Sequence, residues 1–249
     1  MKKGFTLAEV LITLAIIGVV AALTIPAVVH KYQNHIFYTQ FMKAYNTLST
    51  ALQLSVAQNG GIQNWGIQNS ENVDTGYDAY FSKYLQPYLR VRQLCPAGNS
   101  NSSCPSSYVT FYGPDKGGVE LENPSETYMI FLQDGSVIYD VSYVYDYTSM
   151  GLVVDTNGVK GPNVWGRDIF EFWISYFEET GATKIYPRGL FYCTDWNDSN
   201  HRCENFIKMT LEEIKDGDEF GFIDCSCKSG TEDGICCGAR LLLEGKMDY

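Results

Sequence analysis

Several residue types that enzymes and nucleic-acid-binding proteins depend on are scarce in this chain. Its 249 residues include three histidines, and 18 Lys and Arg residues stand against 29 Asp and Glu residues, a formal net charge of −11. Nucleic-acid binding needs clustered basic side chains that neutralise phosphates, and the sequence has no such cluster. It also contains no G-x-S-x-G, P-loop or H-E-x-x-H motif. We therefore expect neither an enzyme nor a partner for nucleic acid.

Charge is almost absent from one long segment near the N terminus. From residue 4 to residue 29 the only ionisable side chain is Glu9, and Lys2 and Lys3 precede the run. At 1.5 Å per residue, a helix of this length crosses a hydrocarbon core of roughly 30 Å. The leading lysines favour a cytoplasmic N terminus with the remainder exported. A cleaved secretory signal is the competing interpretation, but its apolar region would be shorter.

The helical pattern continues beyond the apolar run, over residues 30–58. The apolar side chains there recur at spacings of three and four, which predicts an amphipathic continuation of the same helix. They are Phe37, Phe41, Tyr45, Leu48, Leu52 and Val56. The sequence Asn59-Gly60-Gly61 is expected to end the helix, because glycine adopts left-handed backbone angles without steric cost.

The start of the chain, KKGFTLAEVLITLAIIGVVAALTIP over residues 2–26, resembles a known type of segment. It is similar to the prepilin leader and N-terminal helix of type IV pilins and type II secretion pseudopilins. In those families a basic leader ending in glycine precedes the cleaved bond, an aromatic residue becomes the new N terminus, a glutamate follows, and a proline stands at a bend of the helix. The corresponding residues here are Gly4, Phe5, Glu9 and Pro26.

The resemblance implies processing, location and partners. A prepilin peptidase and methyltransferase would remove residues 1–4 and methylate Phe5. The product would be a single-pass inner-membrane protein, with residues 5–29 as the transmembrane and filament-core helix. An inner-membrane assembly platform would then move it into a filament of pilin or pseudopilin subunits. Pilus and secretion system, and major, minor and pseudopilin roles, stay open, although the retained Glu9 argues against the tip pseudopilin.

Residues 59–249 have the composition of a β-rich exported head. The segment TYMIFLQDGSVIYDV, residues 127–141, predicts a β-hairpin with a type I′ turn at Asp134-Gly135. Further strands are expected at residues 151–154, 169–176, 184–187 and 239–243, and a short helix within residues 76–89. Packed against the amphipathic half of the helix, these elements predict an α+β fold. A membrane-anchored binding module with an aromatic head is the alternative function.

A polar loop, defined here as residues 155–168 with the sequence DTNGVKGPNVWGRD, joins two of these strands. It resembles a DxNGxKGPNxxGxDxF segment that recurs in pilin-like proteins. Its oxygen-bearing side chains suit Ca²⁺, although the twelfth position is Gly166 where an EF-hand has an acid. The candidate ligands are Asp155, Asn157, Asp168 and the backbone carbonyl of Val159. The alternative is a loop in which Asp155 and Asn157 only cap their own backbone.

No cysteine precedes residue 95, and all eight lie in the part expected to be exported. They are Cys95, Cys104, Cys193, Cys203, Cys225, Cys227, Cys236 and Cys237. Zinc is one possibility, with His201 as a further ligand, but the C-x₂-C spacing typical of zinc sites is absent. An even count in an exported chain favours disulfides. Short separation predicts the pairs Cys95 with Cys104 and Cys193 with Cys203, and leaves the last four unassigned.

Overall fold

The computed structural model describes residues 4, 6–66, 77–96, 104, 110–112, 118–120, 128–139, 149–158, 160–197, 202–216, 227, 234 and 236–247. The helices in this part are α1 (Leu7–Asn59), α2 (Tyr77–Tyr84), α3 (Leu211–Asp216) and α4 (Cys237–Glu244). The strands are β1 (Val91–Cys95), β2 (Thr110–Tyr112), β3 (Gly118–Glu120), β4 (Met129–Leu132), β5 (Val137–Tyr139), β6 (Ser149–Asp155), β7 (Ile169–Phe177), β8 (Ala182–Pro187), β9 (Phe191–Asn197) and β10 (Arg202–Lys208).

The main sheet has six strands in the order β1-β4-β5-β6-β7-β8, and every neighbouring pair is antiparallel. Two small hairpins, β2–β3 and β9–β10, stand outside it. The half of α1 that follows the apolar run packs on the sheet, which confirms the predicted α+β fold with a long N-terminal helix. The predicted strands at residues 151–154, 169–176 and 184–187 are the central parts of β6, β7 and β8.

The β4–β5 hairpin forms where the alternating sequence predicted it, but its turn differs. The amide of Leu132 donates to the carbonyl of Ser136, and the amide of Gly135 donates to the carbonyl of Leu132. The loop therefore contains three residues, with Gly135 at a φ of 95°. A type I′ turn needs positive φ at Asp134 as well, and Asp134 does not have it. The prediction of a type I′ turn is wrong because the loop has three residues with positive φ at Gly135 alone; the Asp134 side chain accepts hydrogen bonds from Ser136 in this turn.

One face of α1 enters the main hydrophobic core. Phe41, Leu48 and Leu52 are buried there, and the other three residues of the predicted stripe are partly buried against the same cluster. The ring of Phe41 lies 4.7 Å from that of Phe170 in β7, measured between centroids. Each buried side chain of this size contributes about 1.5–3 kcal/mol. The amphipathic spacing thus predicted the correct face of the helix.

The helix ends at Asn59, within one residue of the expected position. Gly60 follows with a φ of 76°, and its amide donates to the carbonyl of Val56. The chain then packs back on the sheet, where the amide of Ile62 donates to the hydroxyl of Thr183 in β8 over 3.0 Å. Pro26 lies inside the continuous helix.

The last element is a helix, so the strand predicted at residues 239–243 is wrong. In α4 the residues Ala239 and Leu241 are buried, and Arg240 bonds Glu244 one turn later over 3.2 Å. Gly245 ends the helix in the left-handed conformation. The helix lies so close to the core that a Cβ at Gly238 would be 2.9 Å from the Cβ of Pro187. A short apolar run cannot be assigned to strand or helix by periodicity alone.

Candidate functional site

The N-terminal processing segment lies just before α1. Gly4 is exposed, and the helix begins two residues after Phe5, which lies outside the described residues together with residues 1–3. Thr6 is the N-cap, and its hydroxyl accepts a hydrogen bond from the amide of Glu9. The Glu9 carboxylate in turn accepts from the Thr6 amide over 2.8 Å. These reciprocal bonds form a capping box, which satisfies free amides at the helix start.

The capping box gives Glu9 a partner that the sequence reasoning did not identify. In the unprocessed chain the Glu9 carboxylate accepts from both the amide and the hydroxyl of Thr6. The order Thr6-Leu7-Ala8-Glu9 is a T-x-x-E pattern before an apolar run, which is the sequence signal for this motif. A glutamine at position 9 would preserve the same bond, because capping boxes accept either residue.

The first half of α1 has no partner in the described part of the chain. Every Leu, Ile and Val side chain from residue 7 to residue 29 is exposed, up to 82% for Leu7. By length and composition this helix is able to cross a membrane. An apolar surface of this size needs lipid or another protein to cover it. The head differs: Tyr192 is the one exposed aromatic side chain among the described side chains of residues 59–249.

Disulfides brace the head. Cys95 bonds Cys104 and Cys193 bonds Cys203, which are the two pairs predicted from sequence separation. Cys227 bonds Cys237, an assignment that the sequence left open. Cys236 is also disulfide-bonded, and Cys225 lies outside the described residues. The disulfide between Cys193 and Cys203 links the two strands of the β9–β10 hairpin. The sequence analysis predicted this disulfide but not the hairpin.

The polar loop is organised around the carboxylate of Asp168, which is fully buried. One oxygen, Oδ1, accepts from the amide of Val164 over 2.6 Å. The other, Oδ2, accepts from the amide of Asn163 over 2.8 Å and from the Asn157 side chain over 2.9 Å. Burial raises the pKa of Asp168, although these hydrogen bonds act in the opposite direction. Asp168 therefore holds the two ends of the loop together.

Asp155 is the second buried carboxylate of the loop. Its Oδ1 accepts from the amide of Asn157 over 3.0 Å, whereas its Oδ2 is buried and accepts no hydrogen bond. Burial, opposed by the backbone hydrogen bonds and reinforced by the charge of Asp168, raises the pKa of Asp155 to about 8. Burial and the charges of the two aspartates also raise the pKa of Tyr139 in β5. Two carboxyl groups thus share one buried site that disfavours the charged form of each.

The structure brings together three of the four predicted calcium ligands and adds a residue. Asp155, Asn157 and Asp168 lie in one hydrogen-bonded cluster, and Val159 lies outside the described residues. No group of three or more His, Cys, Asp or Glu side chains forms a metal cluster in the described part of the chain. The residue that sequence reasoning missed is Asn163, whose φ of 52° is left-handed and whose side-chain oxygen is buried without a partner.

Comparison with known proteins assigns the chain to a family. The profile of a family of unknown function (DUF6613) matches residues 27–209, which is most of the chain after the apolar segment. The chain belongs to this family. In this DUF6613 protein, residues 1–25 also match the prokaryotic N-terminal methylation motif. The segment before the family region is therefore the prepilin-type start, and the chain is type IV pilin-like in both sequence and fold.

Fimbrial proteins are among the relatives of this DUF6613 protein. It is 35% identical to a fimbrial protein of Moraxella nonliquefaciens over 83 residues, covering 33% of this chain and 51% of that one. A fimbrial protein of Pseudomonas aeruginosa is 34% identical over 85 residues, with 33% and 50% covered. The chain spans about half the length of these curated relatives. No solved structure gives a significant match. The similarity to these fimbrial proteins covers about a third of this chain.

Proposed function

We propose that this protein is a subunit of a type IV pilus or of a type II secretion pseudopilus, with residues 5–29 in the filament core. The observation that supports this most directly is the uncovered apolar half of α1, which directly follows a prepilin-type start. Before assembly the same surface lies in the inner membrane, with the N terminus in the cytoplasm and the head exported. Neighbouring subunits replace lipid around it in the filament.

Maturation is the first step of this proposal. The prepilin peptidase cleaves between Gly4 and Phe5 and the amine of Phe5 is methylated. Gly4 is exposed and precedes the first turn of α1, so the cleaved bond lies before the helix. Intact-mass analysis and N-terminal sequencing should show a mature chain that starts at methylated Phe5. A mature chain that starts at Ala27 or later would contradict the proposal.

Glu9 acts in assembly. A carboxylate within an apolar membrane helix costs about 2.5–3.5 kcal/mol on insertion scales, so its presence calls for a cationic partner. Residues 4–29 contain no Lys or Arg, and cleavage creates one cation at that depth, the amine of Phe5. In a filament, the amine of an incoming subunit pairs with Glu9 of its neighbour, where the low dielectric strengthens the attraction.

The variant Glu9→Gln separates this role from folding of the helix start. Gln keeps the capping box with Thr6 and removes only the charge. We expect normal processing and membrane insertion but poor entry into filaments, measured by shearing filaments from cells and comparing the sheared and membrane fractions. The control Thr6→Ala breaks the cap and keeps the charge, so it should assemble better than Glu9→Gln. Wild-type incorporation of Glu9→Gln would exclude the assembly role.

A deletion strain distinguishes the two kinds of filament. Loss of surface filaments in electron micrographs supports the pilus, and loss of secreted proteins supports the pseudopilus. The size of the head, residues 59–249, favours a minor or specialised subunit, because every position of a major filament would have to accommodate it. The described aromatic side chains of the head are mostly buried, so we do not propose an aromatic adhesion surface.

A further inference from the structure

Three side-chain oxygens of the polar loop are buried and receive no hydrogen bond. They are Asp155 Oδ2, Asn157 Oδ1 and Asn163 Oδ1. Buried polar atoms are nearly always paired, so an unpaired group calls for an explanation. All three atoms are acceptors, so an electropositive group bound in the loop would satisfy them. The side chain of Asp155 is 0% exposed, which excludes solvation from bulk water.

Hydrogen bonds connect the three residues, Asn157 and Asn163 through Asp168, and Asn163 takes part through its backbone amide. The Asn157 side chain and the Asn163 amide donate to the same oxygen of Asp168, and the Asn157 amide donates to Asp155 Oδ1. The Asn157 amide group can bond Asp168 only through its NH₂, so its oxygen is directed away from the carboxylate. The free oxygens are therefore held on one small, pre-organised framework.

The two carboxyl groups of this framework have no cationic partner in the described part of the chain. Asp155 and Asp168 are both fully buried, and no ion pair joins either of them to a cation among the residues that the structure describes. Buried charges in proteins are normally paired or coordinate metals. Water molecules would supply hydrogen bonds to the oxygens, but they would not allow both carboxyl groups to ionise side by side. A divalent cation satisfies the oxygens and neutralises the charge together.

We propose that the polar loop binds one Ca²⁺ ion through Asp155 Oδ2, Asn157 Oδ1 and Asn163 Oδ1, and that Asp168 positions the two asparagines. Carboxylate and amide oxygens are the hard ligands that Ca²⁺ prefers, and the site offers no nitrogen or sulfur ligand. Calcium also tolerates an irregular set of six to eight oxygens completed by water, whereas Mg²⁺ demands near-ideal octahedral geometry.

The ion would connect three parts of the fold. Gly166 at the end of the loop packs so closely on the C-terminal segment that a Cβ there would lie 2.6 Å from the Cys237 sulfur. The guanidinium of Arg167 lies 5.9 Å from the ring centroid of Phe37 in α1. At the other end, a Cβ on Gly158 would lie 2.5 Å from the carbonyl oxygen of Gly135 in the β4–β5 turn. Calcium therefore stabilises the junction of helix, sheet and C-terminal segment.

The test uses the full chain in detergent, stripped with a chelator, and compares its melting temperature in chelator, CaCl₂ and MgCl₂. An ion that binds only the folded state at 100 times its dissociation constant raises the melting temperature by about 5–10 °C for a chain of this size. We expect this rise in calcium, a much smaller rise in magnesium, and one Ca²⁺ per chain in titration calorimetry. The assay needs no filament, so its outcome is independent of the assembly role.

Two variants remove ligands in different ways. Asp155→Asn keeps the oxygen that accepts from Asn157 and removes the negative charge, so it should abolish the calcium-dependent rise and melt no lower than wild type in chelator. Asn163→Gly preserves the left-handed backbone and removes the amide oxygen, so it should reduce the rise. Asp134→Asn is the matched control: this carboxylate in the neighbouring turn pairs with Lys43, and its loss should leave the rise intact.

Three results would overturn the proposal. The first is a folded wild-type chain with no calcium-dependent rise, which would leave buried water as the occupant. The second is equal loss of stability for Asp155→Asn in chelator and in calcium, as expected if the loop only caps its own backbone. The third is an equal rise in magnesium, which would exclude a calcium-selective site. If Asp155→Asn does not fold, a full calcium response of Asn163→Gly contradicts the ligand assignment.

Discussion

The two halves of α1 form one continuous helix and have opposite surroundings. From residue 7 to residue 29 its Leu, Ile and Val side chains are all exposed, whereas from Asn34 to Ser55 one face is buried on the sheet. The first half is apolar around its whole circumference, and the second is apolar on one stripe. A helix that is apolar all round is covered on every side, and one with a stripe is covered on one side. The distribution of apolar residues around a helix therefore predicts how many of its faces are covered.

Replacing a core aromatic residue of the second half should produce the largest effect. Phe41 is 0% exposed, and its ring stacks on Phe172 and makes a tilted contact with Phe170. Phe41→Ala removes these contacts and leaves a cavity, at a cost of about 3–5 kcal/mol. Denaturant unfolding of the head in detergent measures it. The matched change Ile16→Ala lies in the exposed half and should leave head stability unchanged; an equal loss would mean that both halves pack on the head.

Adding one methyl group to the head, at Gly238, and one to the apolar half of α1, at Gly18, should give a smaller difference in head stability. A Cβ at Gly238 would meet Pro187 at 2.9 Å and the Phe41 ring at 3.2 Å, so Gly238→Ala should destabilise the head by about 1–3 kcal/mol through overpacking. At Gly18 the same Cβ meets nothing within 4 Å. Gly18→Ala should therefore leave the melting temperature of the head unchanged. A tolerated Gly238→Ala would show that α4 can move away from α1.

Ion pairs around Glu244 stabilise the head, whereas residues 7–29 of α1 contain no Lys or Arg that could form one. Glu244 accepts from Lys215 of α3 and from Arg240, and although burial alone would raise its pKa, these partners lower the pKa below its ordinary value. A lowered pKa gives stability that is present above the unfolded value and is lost as the pH falls through the folded value. Glu244→Gln should cost about 1 kcal/mol at pH 7.

The pH profile checks the charge contribution. The difference in unfolding free energy between wild type and Glu244→Gln should shrink as the pH is lowered from 6 toward 3. A difference that stays constant with pH would assign the loss to packing. The control Glu212→Gln changes an exposed acid at the start of α3 and should behave as wild type.

The cap of α1 should have the smallest effect on the head. Thr6→Ala removes the N-cap, which costs about 1 kcal/mol of local helix stability. Hydrogen exchange should become faster for the amides of the first turn, and the melting temperature of the head should not change. Thr13→Ala is the control, because Thr13 bonds only the carbonyl of Val10 within the helix. Faster exchange in both variants would mean that the cap has no special role.

The helix and its packing face could be predicted from the sequence because they depend on local patterns. Spacing identified Phe41, Leu48 and Leu52, and Gly60 gave the end of α1. We predicted a strand at residues 239–243 because a run of five residues fits both the helical and the strand period. Only the close contact of Gly238 with the core distinguishes the helix from the strand. The same limit applies to the β9–β10 hairpin, whose strands do not alternate regularly.

The candidate calcium site could be predicted only in part. Asp155, Asn157 and Asp168 were identified because their residue types suit calcium, which is a property of sequence. Asn163 was missed because its role depends on its left-handed backbone and on burial of its oxygen by the fold. The bond between Glu9 and Thr6 was missed for a different reason: the T-x-x-E pattern that signals it is present in the sequence, but Glu9 was interpreted only as the glutamate of the prepilin-type start.

The contact between α1 and the head is anchored at both of its ends. The side chain of Asn34 donates to the carbonyl of Met247 at one end, and the amide of Ile62 donates to Thr183 at the other. Side chains such as Phe41 interlock with the sheet between these anchors. A filament under tension pulls its subunits along the helix axis. The head would then resist in shear, with many contacts loaded together, and it would be carried along as a single body instead of being peeled from its helix.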